Sequence, residues 1–117
     1  MVTRRKAPYV PDRGDIVWMV FDPQAGHEQS GRRPALIVSS KEYNGKRGLA
    51  LLCPVTSKVK GYPFEVALPL CAKVSGAVLC DQIKSADWRA RKAKFIERID
   101  KAACEDVVGK LHALLEI

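Results

Sequence analysis

The sequence predicts a mainly β fold closed by one C-terminal helix, arranged as a small antiparallel barrel. Three observations predict it. Five or six short runs rich in β-branched and aromatic residues follow one another at close spacing. Glycine, proline and asparagine signals separate them. The last segment alone shows helical periodicity. At 117 residues the chain is expected to form a single domain, 1–117.

Taken in order, residues 1–12 are basic and carry Pro8 and Pro11, which reads as a loose arm. Arg13-Gly14 opens a strand over Asp15–Asp22 (DIVWMVFD). Residues 23–33 (PQAGHEQSGRR) show no period of 2 or 3.6 and read as a loop. Pro34–Ser40 is a buried strand, and Tyr43-Asn44-Gly45 a turn. Leu49–Val55 is apolar but contains Pro54, which suggests an edge or a bulge. Ser57–Gly61 is a basic loop. Phe64–Leu68 alternates as a half-buried strand should. Gly76–Asp81 is a further strand, Gln82–Trp88 a polar stretch, and Phe95–Ile99 a last short strand. Asp100 can cap a helix over 100–117, with Glu105 and Asp106 in its early turns. Cys104, Val107, Val108, Leu111, Leu114 and Leu115 form its apolar stripe, expected to pack on the sheet.

Composition narrows the functional classes. The hydrophobic fraction of 47% excludes a mostly disordered chain. No run approaches the ~20 apolar residues of a membrane span. Arg4, Arg5 and Lys6 lead into a polar, proline-containing stretch and not an apolar one, so no signal peptide is expected and the cytoplasm is the expected location. Twenty Lys and Arg against thirteen Asp and Glu give +7, which favours a polyanionic partner such as nucleic acid. Cys53, Cys71, Cys80 and Cys104 form no CxxC pair, and His27 and His112 do not join them at zinc-ligand spacing. They read as buried thiols, with no metal site and no cofactor expected.

Polar residues collect in three places: His27, Glu28, Gln29, Arg32 and Arg33; Thr56 and Ser57; and Asp81 to Arg91. Each alone has an ordinary surface role, Thr56 for instance bonding its own backbone at a strand end. Together they match what metal-free RNA cleavage needs. A base takes the 2′-OH proton, a cation holds charge growing on the phosphate, and an acid protonates the leaving 5′-oxygen. Arginine suits the phosphate because its fork bonds two oxygens at once.

The segments GDIVW, FDPQAGHEQSGRRPALIVS, PVTSKVKGYPFEV and DQIKSADWRAR, in this order, closely resemble the MazF/PemK (Kid) toxins of bacterial toxin–antitoxin pairs. The resemblance runs from about Tyr9 to the end. It implies an SH3-like barrel, a homodimer, a cognate acidic antitoxin, and a metal-independent, sequence-specific endoribonuclease of single-stranded mRNA. Arg33 and Thr56 match the principal catalytic residues of the MazF branch. Glu28 matches the loop glutamate, a base or RNA contact. His27 and Asp81 match catalytic residues of the Kid branch. That branch carries an arginine where this chain has Leu79, which favours the Arg33/Thr56 scheme. The residue before the arginine can be histidine in the MazF branch and here is Arg32, which remains a phosphate ligand candidate.

For the RNA groove, Gln29, Arg32, Ser57, Lys58, Lys60, Gln82, Lys84, Ser85 and Arg89 are the candidates, the lysines as point charges on phosphates. Trp88 could stack a base but fits packing better. Three other readings stand beside the ribonuclease: a non-catalytic nucleic-acid-binding barrel, a gyrase-inhibiting toxin of related fold, and a degenerate, inactive relative, which Leu79 and Arg32 keep open.

Overall fold

Three long apolar strands set the architecture. In the computed structural model, which describes residues 8–21, 31–69 and 72–116, they are β1 (Asp15–Phe21), β2 (Gly31–Ile37) and β3 (Leu49–Thr56). β2 lies between β1 and β3, and all pairings are antiparallel. Both faces of this trio are covered. Ile16, Leu36, Cys53 and Val55 enter one core, while Val17, Met19, Ala35, Ile37 and Leu52 enter the other. Burial on two faces explains why these strands read as apolar runs without clean alternation.

The remaining strands extend the trio into a seven-stranded sheet among the described residues. β7 (Lys94–Arg98) pairs with β1, with a bulge between Ile16 and Val17. β4 (Glu65–Ala67) pairs with β5 (Ala77–Leu79), and β5 pairs with Val55 and Thr56. β6 (Lys84–Asp87) pairs with Leu49–Leu52. The free edge of β3 therefore serves two strands in succession.

Pro54 sits at the change of partner. β3 is not an edge strand, as its proline suggested, but the proline is accommodated for a related reason. The Val38 N–H donates to the Leu51 carbonyl at 2.9 Å. Alternation along an antiparallel pair then turns the nitrogen of Pro54 away from β2, towards the gap between β5 and β6. The missing N–H falls where no ladder bond is required.

Two elements differ in kind from expectation. The Tyr43–Gly45 turn is part of a helix, α1 (Lys41–Arg47). Ser40 caps it by accepting the Tyr43 N–H, and Gly48, at φ 70°, closes it by donating to the Asn44 carbonyl. Asn44 is fully buried; its amide donates to the carbonyls of Pro11 and Ser39. The polar stretch Gln82–Trp88 contains β6, of which only Ala86 is buried. β2 also begins three residues early, so Arg32 and Arg33 lie on a strand.

The described part of the expected loose arm is packed. Pro11 is fully buried. The Tyr9 hydroxyl donates to Asp15 at 2.7 Å, and the Asp12 N–H donates to the same oxygen at 3.0 Å. Arg98 reaches the other Asp15 oxygen at 3.1 Å. Burial, then the bond to Asp15, pushes the Tyr9 hydroxyl far above its ordinary range.

Helix α2 spans Lys101–Leu115, with Asp100 at the cap position but without a side-chain capping bond. It covers the first core through Ala103 and Val107, with Cys104 and Leu111 packed beside them. The predicted stripe is too wide, because Val108 is 38% and Leu115 86% exposed. Cys53 and Cys80 are buried as expected, and burial pushes the Cys80 thiol up to about 11. Cys71 lies outside the described residues. No described helix is long and apolar enough to cross a membrane.

Candidate active site

The site is built where β2 and β3 leave each other. Their register ends on Ala35 opposite Pro54. Arg33 lies two residues before Ala35 on β2, and Thr56 two residues after Pro54 on β3, where it takes Ala77 of β5 as its partner. Arg33 also lies opposite Met19 of β1 and is half-buried. Thr56, the last residue of β3, is only 6% exposed. Its Oγ1 accepts the Lys58 N–H at 3.1 Å, so the hydroxyl does bond its own backbone. That bond uses the oxygen as acceptor and leaves the hydroxyl proton available to donate.

A cleft of about 480 Å³ opens beside this strand end. Thr56, Lys58, Lys60, Tyr62, Asp81 and Gln82 line it. β5 brings the last two there. It pairs with Val55 and Thr56, then turns through a single 3-10 turn, Cys80–Gln82, that delivers Asp81 and Gln82 to the cleft. Lys60 stands over the Tyr62 ring, 5.9 Å from its centre. Leu79 is buried at 7% exposure and pairs with Glu65.

Two residues that motif reasoning left without a role shape the cleft. Gly76 has φ 122°, and a Cβ there would sit 2.0 Å from the Thr56 carbonyl oxygen. Only glycine lets the chain pass so close behind Thr56. Glu65 accepts the backbone N–H groups of Lys60 and Gly61 at 3.0 and 2.8 Å. The KGYPFEV segment that holds Gly61 and Glu65 is the signal that could have found the second. Nothing local marks the first.

Other candidates lie elsewhere. Arg32 alternates to the opposite face of β2 from Arg33 and stacks on Trp18, 4.9 Å from the ring centre. Lys84 reaches over Phe21 at 5.3 Å, near the β1 end that pairs with Gly31. Ser57 and Ser85 are exposed. Ser85 faces Leu51 in register, on the other side of β6 from Lys84. Arg89 lies 4.8 Å over Trp88, just past Asp87, which pairs with Leu49 at the opposite end of β3 from Thr56. Trp88 is buried and donates its indole N–H to the Asn44 carbonyl at 3.0 Å, so it packs. His27, Glu28 and Gln29 lie outside the described residues.

The chain is 52% identical over 107 residues to the endoribonuclease toxin MazF of Escherichia coli K12, covering 92% of this chain and 96% of that one. The crystal structure of MazF from Deinococcus radiodurans superposes with a TM-score of 0.89 at 54% identity, covering 94% of this chain and all of that one. A MazE–MazF structure from the same organism gives 0.85, again at 54% identity, over 94% and 99% of the two chains. The family model for PemK-like, MazF-like toxins of type II toxin–antitoxin systems matches residues 12–115, and the chain belongs to that family.

Proposed function

We propose that this chain is the toxin of a toxin–antitoxin pair, an endoribonuclease that cuts single-stranded mRNA at specific sequences without a metal ion, in the cytoplasm. The observation that carries the reading is the cleft that gathers Thr56, Lys58, Lys60 and Asp81 at the end of β3. RNA lies in the cleft with its scissile phosphate near Arg33. The 2′-oxygen, losing its proton to Glu28 or His27, attacks phosphorus. Arg33 neutralises the charge that develops on the phosphate oxygens, and the Thr56 hydroxyl donates to one of them. The bond from phosphorus to the 5′-oxygen breaks, and that oxygen takes up a proton. Asp81 is exposed and lines the same cleft. The products are a 2′,3′-cyclic phosphate and a 5′-hydroxyl.

The chain acts as a homodimer and is neutralised by an acidic antitoxin, whose charge opposes the +7 of this chain. The test is end chemistry. A long single-stranded RNA cut by the purified protein in EDTA should yield fragments whose 5′ ends accept phosphate from a kinase directly. Fragments carrying 5′-phosphates would overturn the mechanism.

A further inference from the structure

An acidic side chain in a cleft for a polyanion works against binding unless its charge is engaged elsewhere. Glu65 is such a side chain, and its charge is engaged. One carboxylate oxygen accepts the N–H groups of Lys60 and Gly61 at 3.0 and 2.8 Å. Its own N–H donates to the Tyr62 carbonyl at 3.0 Å, and β4 anchors its backbone opposite Leu79. The loop it holds, 57–61, is exposed throughout. Thr56 ties the start of that loop through the Lys58 N–H, and Glu65 ties its end.

We propose that Glu65 is a positioning residue for RNA binding: its carboxylate fixes the 57–61 loop so that Lys58 and Lys60 face the substrate backbone. This rests on the reading of that loop as an RNA contact. Bonds from backbone N–H groups to a carboxylate are about twice as strong as neutral ones. Without them the loop samples other shapes, and apparent affinity falls by the fraction of time the binding shape is lost. The bond-forming groups at Arg33 and Thr56 are untouched, so the loss appears in KM and not in kcat.

The test is steady-state cleavage of an oligonucleotide containing a mapped cut site. Glu65→Ala should raise KM about tenfold, the equivalent of roughly one net hydrogen bond, with kcat within about threefold of wild type. Glu65→Asp keeps the charge but withdraws the oxygen, and should behave like alanine. Glu65→Gln keeps an acceptor oxygen in place and should bring KM back to within about threefold of wild type. Variants that fold with unchanged KM overturn the proposal. So does a Glu65→Gln protein whose kcat falls ~10²-fold, which would make Glu65 a proton-transferring group. A Lys58→Ala/Lys60→Ala double variant separates the underlying reading. If it binds and cuts as wild type, the loop is no RNA contact and the proposal fails with it. If it loses affinity while Glu65→Ala does not, the loop reading stands and Glu65 alone fails.

Discussion

Replacing Gly76 by alanine should damage the fold and the chemistry together, and the structure gives the size of both effects. The added Cβ would lie 2.0 Å from the Thr56 carbonyl oxygen, 2.9 Å from its carbon and 3.2 Å from the Ser57 Cα. Ordinary contacts of this kind begin at 3.4 Å, so the two segments must part by more than an ångström. All three atoms are backbone, and no side chain can swing aside. A β-carbon at φ 122° adds strain of about 1–2 kcal/mol, and over-packing about 1–3 kcal/mol more. Urea unfolding should therefore show a loss of about 2–5 kcal/mol. Thr56 is the residue displaced, and a misplacement of about an ångström can cost ~10² in rate. The activity of Gly76→Ala, measured below its unfolding transition, should fall by about that factor. An unchanged midpoint with an unchanged rate would refute the claim that Gly76 sets the position of Thr56.

Two further outcomes follow from other parts of the molecule. Trp88→Phe removes the indole donor to the Asn44 carbonyl and should cost about 1–3 kcal/mol in unfolding free energy, while RNA cleavage stays near wild type; a cleavage defect without a stability defect would instead make Trp88 a base-stacking residue. Stability should fall as pH rises above about 9, measured as the urea midpoint. Below that pH both native and unfolded chains keep their thiol protons. Above it the unfolded thiols ionise, while Cys80, held up to about 11, and Cys53, raised further by burial, do not. The unfolded state then binds fewer protons, and each thiol should cost about 1.4 kcal/mol per pH unit until its native value is reached. A flat profile between pH 8 and 10.5 in the wild type, or one unchanged by Cys53→Ala/Cys80→Ala, would contradict the assignment.

The parts of the fold that were legible in the sequence are those whose burial is large. β1, β2 and β3 announce themselves because two cores cover them. α2 does so because Cys104, Val107 and Leu111 repeat on one face. β6 was hidden because its sequence, KSAD, buries one alanine and owes its place to the ladder with β3. α1 was hidden because Asn44 and Gly45 are poor helix formers; Ser40, Gly48 and the buried Asn44 amide hold it. The site divides in the same way. Arg33 and Thr56 could be singled out by type and by motif, but that both fall two residues past the last β2–β3 pair is a property of strand register. Arg32, expected as a phosphate ligand beside Arg33, is sent by the period of two to Trp18. Gly76 acts on the Thr56 backbone, far from it in the chain, and no local pattern records such a contact, whereas Glu65 acts within its own KGYPFEV segment.

The account rests on Arg33 facing the scissile phosphate. The most direct measurement is the single-turnover cleavage rate of Arg33→Ala beside wild type, on an RNA with a mapped cut site, with EDTA present. Loss of one preorganised electrostatic contact should lower the rate by ~10²–10³. Far-ultraviolet circular dichroism should stay that of the wild-type fold. A folded Arg33→Ala protein that cuts at the wild-type rate would contradict the account.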